Sequence, residues 1–164
     1  MKSLKFRAWH KELKIMTKGF DLTSLTADYG GTVCLPFIES RFNEISINDE
    51  NIELMQWTGL QDKHGKDIYE GDVLEWVGYD YDENHIRIES NKRGDVVYCG
   101  GHPKVHYFGQ FNLWKTADEP DADYYFYLDY LESGNNATGS DFYKNPRVIG
   151  NIYETPELLK CDEE

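Results

Sequence analysis

The chain has 164 residues, enough for one ordinary domain or a domain with a small appendage. Seventeen basic residues against thirty acidic ones give a net charge of −13, which argues against a broad phosphate-contacting face and so against direct nucleic-acid binding. Four Trp, twelve Tyr and eight Phe are too many for a disordered chain and support a packed core.

Leu4–Trp9 reads as a strand, with Leu13–Met16 as its partner across a turn at His10-Lys11-Glu12. Residues 1–18 hold Lys2, Lys5, Arg7, Lys11, Lys14 and Lys18 against Glu12 alone, a net of +5 that leaves −18 for the remainder. Two meanings stay open. The arm is a solvated basic hairpin, or it docks through Lys5, Arg7, Lys11 and Lys14 on an acidic surface of its own chain or a neighbour. Residues 20–43 resist assignment, and Pro36 argues against a central strand at Val33–Ile38. Ile45-Ser46-Ile47 alternates and leads through Asn48–Asn51 into the next strand, as a hairpin would.

The stretch Leu54–Trp76 organises the chain. Ile52, Leu54, Gln56 and Thr58 share one face of a strand, and Met55 and Trp57 the other. Gly59–Gly65 supplies turn residues, with Asp62-Lys63-His64-Gly65 the tight reversal. Glu70-Gly71-Asp72 then turns the chain into Val73–Val77, with Leu74 and Trp76 on one face and Val73 and Val77 on the other. Ile86-Arg87-Ile88 is a strand fragment, Asp95–Cys99 a strand, and Gly100–Pro103 a break. Val105–Trp114 reads as one or two strands, and residues 117–123 as an acidic loop.

Tyr124–Leu131 is almost wholly aromatic or aliphatic. Period alone cannot separate buried strand from helix there, but the aromatic content favours strand. Tyr124, Phe126, Leu128 and Tyr130 form the more apolar face and are assigned to the core, which points Tyr125 and Tyr127 outwards. There they either keep their hydroxyls wet or anchor a partner. A Gly/Asn/Ser loop spans 133–140, and Arg147–Tyr153 is the last strand. Thr155-Pro156-Glu157 opens a helix of one or two turns: Thr155 can cap it, Pro156 fits its first position and Glu157 its dipole. Trp57, Trp76, Val97, Phe126 and Ile149 are the expected core residues.

Many short strands with little helix predict a mainly β fold. The expected architecture is a small strand-rich N-terminal extension (1–50) packed on an SH3-like barrel or barrel-like antiparallel sheet (51–164), with a short C-terminal helix.

No catalytic constellation is complete. Asp80-Tyr81-Asp82-Glu83-Asn84 starts like a calcium loop, but His85 stands where glycine is needed and Asn91 where glutamate is needed. Cys99, His102 and His106 are the only close Cys/His cluster, and zinc would want a fourth ligand or a water. No nucleophile elbow or phosphate loop occurs. No catalytic, cofactor or metal residue is therefore assigned, and no cofactor is expected. Cys34, Cys99 and Cys161 are odd in number and widely spaced, which suits reduced thiols. The N-terminus lacks a signal-like apolar run, and no stretch approaches a membrane span. A cytoplasmic protein without membrane contact is expected.

Three blocks carry a resemblance. They are Lys5-Phe6-Arg7-Ala8-Trp9; Leu54–Leu60 with Asp62, Gly65, Lys66 and Ile68–Asp72; and Val148–Glu154 followed by Pro156–Leu159. Together and in this order they resemble the YopX family, small proteins of bacteriophages and prophages, mostly in Gram-positive hosts. The resemblance implies a bacterial cytoplasmic setting and no assigned reaction or ligand. The expectation is a non-enzymatic binding or assembly protein whose partner is a second copy or a host or phage protein. Two alternatives stand beside it. One is an acidic inhibitor that imitates nucleic acid and blocks a host DNA-binding protein. The other, a small metal-dependent enzyme, rests only on the two incomplete clusters.

Overall fold

A computed structural model describes residues 4–21, 23, 25–27, 33–35, 46–47, 49–81, 83–84, 86–99, 101–107, 124–128 and 144–159. The chain divides into two compact units, Met1–Gly59 and Leu60–Glu164. Their described strands are antiparallel, with almost no helix, so the mainly β expectation holds.

In the first unit, β1 (Lys5–His10) pairs with β2 (Ile15–Met16) at Trp9↔Met16 and with β3 (Phe20–Asp21) at Phe6↔Phe20. The short strands β4 (Thr26–Ala27) and β5 (Val33–Cys34) form a separate ribbon. β6 (Ile52–Gln61) lies along the other edge of β1, with Phe6↔Gln56, Arg7↔Met55 and Ala8↔Leu54. Facing residues of an antiparallel pair share a side. Phe6, Ala8 and Ile52 therefore fall on one side, where Ala8, Phe20 and Leu35 form a buried cluster with Ile15, Leu25 and Ile47 against it. Arg7, Trp9 and Met55 fall on the other and are buried as well.

The second unit starts with a hairpin. The turn at Asp62–Gly65 comes where expected, but β6 runs through Gly59 and Leu60 to reach it, with Gly59 at φ 87°. β7 (Asp67–Tyr69) follows. Then come β8 (Asp72–Tyr81), β9 (Arg87–Cys99), β10 (His102–Tyr107), β11 (Tyr124–Tyr127) and β12 (Lys144–Asn151). These five form one antiparallel sheet in the order β11-β10-β9-β8-β12, a sheet curled like a half-barrel, which agrees with the barrel-like antiparallel sheet expected. Its core is Ile68, Leu74, Trp76, Val96, Val105 and Leu128, with Leu60 and Val148 against it. Each such side chain contributes roughly 1.5–3 kcal/mol by leaving water.

Trp76 and Leu128 are core as expected. Val97 is only half-buried. Val96 is the fully buried member of that pair, because Val96 faces Val105 across the ladder. Trp57 and Ile149 are also half-buried. Phe126 lies in register with buried Val105, but its side chain, like that of Tyr124, lies outside the described residues. So do Tyr130 and the loops assigned to 117–123 and 133–140. The two expected fragments Ile86–Ile88 and Asp95–Cys99 are one thirteen-residue strand, β9. A single turn of 3-10 helix, Pro156–Leu159, closes the described chain. Among the described residues, no helix is long and apolar enough to cross a membrane.

Gly94 is a point of close approach. A Cβ there would collide with the His106 carbonyl oxygen and come within 2.7 Å of a Val105 methyl. Backbone cannot give way cheaply, so Gly94→Ala is expected to lower stability by about 1–3 kcal/mol in denaturant melts. An unchanged midpoint would mean that β9 and β10 are further apart.

Candidate functional site

Two polar constellations stand out in the second unit. The first is built on Asp62, Asp72 and Asn151. Asp62 is buried in the β6–β7 turn. Its Oδ1 accepts from the backbone N–H of His64 at 2.8 Å and of Lys66 at 2.9 Å, and its Oδ2 from Val148 of β12 at 3.1 Å. Lys63 N–H also donates to the Pro146 carbonyl, so the turn is fastened to β12 twice. Burial pushes the Asp62 carboxyl up. The N–H donors of Lys66, Val148 and His64 outweigh it and hold the group below the usual carboxylate range.

Asp72 opens β8 and is fully buried. Its Oδ2 accepts from Tyr69 N–H at 2.9 Å, and its Oδ1 from Asn151 Nδ2 at 3.4 Å. Between them sits Gly71 at φ 76°, a left-handed backbone that glycine adopts without strain. Gly71 donates to the Val96 carbonyl and accepts from Ile152 N–H. Asn151 also accepts from Tyr153 N–H through its Oδ1 at 2.9 Å. Thr155, expected to cap the helix, turns its hydroxyl back to Asn151 instead. It accepts from Asn151 N–H at 3.0 Å and donates to the Asn151 carbonyl at 3.1 Å. Glu70–Asp72 and Asn151–Thr155, some eighty residues apart, thus form one hydrogen-bonded knot.

The second constellation lies on the side of the sheet opposite Trp76 and Val96. Glu75 is held between two guanidinium groups. Arg147 Nε donates to Glu75 Oε2 at 2.9 Å, and Arg93 Nε lies 3.7 Å from Oε1. One register step along, His106 Nδ1 stands 3.0 Å from Asp95 Oδ1. That distance suits an Nδ1–H donor, which leaves Nε2 as the acceptor in the neutral ring. Burial pushes the Asp95 carboxyl up, and the charge and hydrogen bond of His106 pull it back only in part. A carboxylate orienting an imidazole is two-thirds of a nucleophilic triad. Among the described side chains beside this pair on the same side, Val73, Arg93, Val97 and Lys104 bring no hydroxyl or thiol, and Tyr125 of β11 pairs in register with His106. A shallow depression of about 190 Å³, lined by Lys63, Glu75, Val77, Asn91 and Arg147, lies next to it. Its volume is below the roughly 300 Å³ at which small-molecule pockets begin.

A carboxyl raised in the folded state loses its proton first in the unfolded chain as pH rises. Asp95 therefore favours folding below the unfolded carboxylate range, and that contribution is lost as pH climbs through its folded pKa. Melting temperatures of Asp95→Asn minus wild type should become more positive as pH rises across this range. A difference independent of pH would contradict the shift.

Metal ligation finds little geometry. Among the described residues, no three His, Cys, Asp or Glu side chains converge. Cys99 pairs with His102 in register, but its side chain is outside the described set, as are those of Asp80 and Asp82. His102 and His106 are four residues apart along one strand, about 13 Å, too far to share an ion.

A family model described as "YopX protein" matches residues 5–160. The chain belongs to the YopX family. A crystal structure of protein EF1440 from Enterococcus faecalis is similar at 26% identity, covering 96% of this chain and 98% of that one, with a TM-score of 0.44. No curated protein matches.

The residues that carry the YopX resemblance are those that build the knot and the β1–β6 ladder. Lys5–Trp9 lies in β1, beside Glu53–Gln56 of β6. Asp62, Lys66, Gly71, Asp72 and Asn151 supply the bonds described above. The sequence singled out these positions, but not their role. The signal in the sequence was two glycine-containing turns between alternating strands, with Asp62 ahead of Gly65 and Asp72 just after Gly71.

The proposed contact residues fare differently. Lys5 Nζ sits 4.5 Å above the Trp57 ring. Lys11 is exposed and ion-paired with Glu53. Lys14 is exposed in the β1–β2 turn. Arg7, taken as part of an exposed arm, is 9% accessible, with Nη2 3.5 Å from Met55 Sδ. Its strand alternation places it beside Met55, on a side that is buried too. Tyr125 pairs in register with His106 and Tyr127 with Lys104, but the side chains of both lie outside the described residues.

Proposed function

We propose that this YopX-family chain is a phage- or prophage-encoded, non-enzymatic binding or assembly protein working in the bacterial cytoplasm. One observation carries the reading: three polar residues of its signature are engaged inside the fold, Asp62 on backbone N–H groups and Asp72 and Asn151 on each other and the backbone. A signature that builds a scaffold leaves function to the surface the scaffold displays. Exposed apolar groups such as Leu4, Leu13, Ile86 and Ile88 support contact with another protein.

The acidic-mimic alternative draws on the net charge of −13. It is weakened by acids engaged internally: Asp62 and Asp72 on backbone N–H groups, Glu75 on two arginines, Asp95 on His106. Affinity capture from a cross-linked bacterial host lysate tests the proposal. It predicts a near-stoichiometric protein bound to the tagged chain, another chain or an untagged copy. A chain recovered alone, from repeated captures, would overturn it. A DNA-binding protein displaced by added DNA would favour the mimic.

A further inference from the structure

The β8–β9 hairpin outruns the core it helps to build. Its register is continuous from Val73↔Asp95 to Tyr81↔Arg87. Positions 74, 76, 92 and 96 therefore share a side with 88, and 86 follows two residues on. At the root that side holds buried Leu74, Trp76 and Val96. At the far end the same side carries Ile86 at 60% and Ile88 at 48% exposure. Residues 79–89 hold Asp80, Asp82, Glu83 and Glu89 against Arg87, a net of −3.

The β1–β2 turn has the complementary character. Lys11, Glu12, Leu13 and Lys14 are all exposed, Leu13 at 39%. Lys14 adopts φ 55°, the left-handed region that disfavours a long side chain and that glycine or asparagine enters more easily. A strained residue kept on a surface turn points to use of its side chain.

We infer that the β1–β2 turn of one copy docks on the end of the β8–β9 hairpin of a second copy. Leu13 is set against Ile86 and Ile88, and Lys14 beside the exposed Glu83 of the connecting turn. Apolar contact supplies affinity, and charge supplies orientation and salt sensitivity. The inference rests on the assembly reading above and names the second copy as the partner.

Sedimentation velocity of the full chain over a range of concentrations, at low and high salt, is the test. Wild type should self-associate at low salt and less at high salt. Ile86→Ser/Ile88→Ser and Lys14→Gly should each weaken association at least about tenfold. Lys14→Gly relieves the strained φ, so it should melt no lower than wild type, which separates lost docking from lost folding. A wild type monomeric at both salts overturns the inference, and the lysate capture then decides the assembly reading separately. Self-association unchanged in both variants also overturns it and points to strand-edge pairing, with the assembly reading intact.

Discussion

Asp62→Ala is expected to lower stability by about 3–4 kcal/mol at neutral pH. The carboxylate accepts three backbone N–H groups, and hydrogen bonds to a charged group contribute about 1.5–3 kcal/mol each before relaxation. Alanine leaves those donors without their acceptor and frees the turn from β12. Asp62→Asn keeps one acceptor oxygen and should cost less. The pH dependence gives a second check. The folded pKa is depressed, so the contribution is complete above the unfolded carboxylate range and is lost as pH falls through the folded value. Wild type should lose stability relative to Asp62→Ala on acidification, and the two should converge. A loss below about 1 kcal/mol in denaturant melts at neutral pH would mean that water serves these amides equally well.

The second large effect is expected at Asp72 and Asn151. Asp72→Ala removes the acceptor for Tyr69 N–H and Asn151 Nδ2 at a fully buried position. Asn151→Ala removes that donor and the acceptor for Tyr153 N–H. Each should cost about 2–4 kcal/mol, since buried polar groups lose partners that water cannot replace. Because the two side chains share a bond, the double variant should fall short of additivity by about 1–3 kcal/mol. Urea melts of the four proteins measure this. Strict additivity would place the two residues in separate networks.

Parts of this arrangement were legible in the chain. Asp62-Lys63-His64-Gly65 named its turn through local chemistry, since an aspartate binding N–H groups two and four residues on needs no distant partner. Leu74 and Trp76 named their face by alternation. Other parts required distant residues. Ser90–Arg93 is polar on both sides, so nothing in its period joins Ile88 to Asp95, and the pairing with β8 supplies the continuity. Val96 and Val97 are equally apolar, and only the register with β10 decides between them. Thr155 satisfies the rule for a helix cap, but Asn151 lies close enough to take its hydroxyl. Arg7 looked exposed because its charge was weighed without the burial of Met55 beside it. The candidate surface was harder still, since Lys14 shows its significance only through its backbone angle.

Asp62, Asp72 and Asn151 of the YopX signature tie distant segments of the fold together. Native-state amide hydrogen exchange reads the strength of these ties residue by residue. The N–H groups of Lys66, Tyr69, Gly71, Val148, Ile152 and Tyr153 all donate within the knot or the turn that it fastens. Several of them lie in turns, where amides ordinarily exchange early. These amides should exchange with the slowest class, alongside Val96 and Val105 of the core, and only through global unfolding. Exchange of these amides in the fast class of surface turns, with the core still protected, would contradict this.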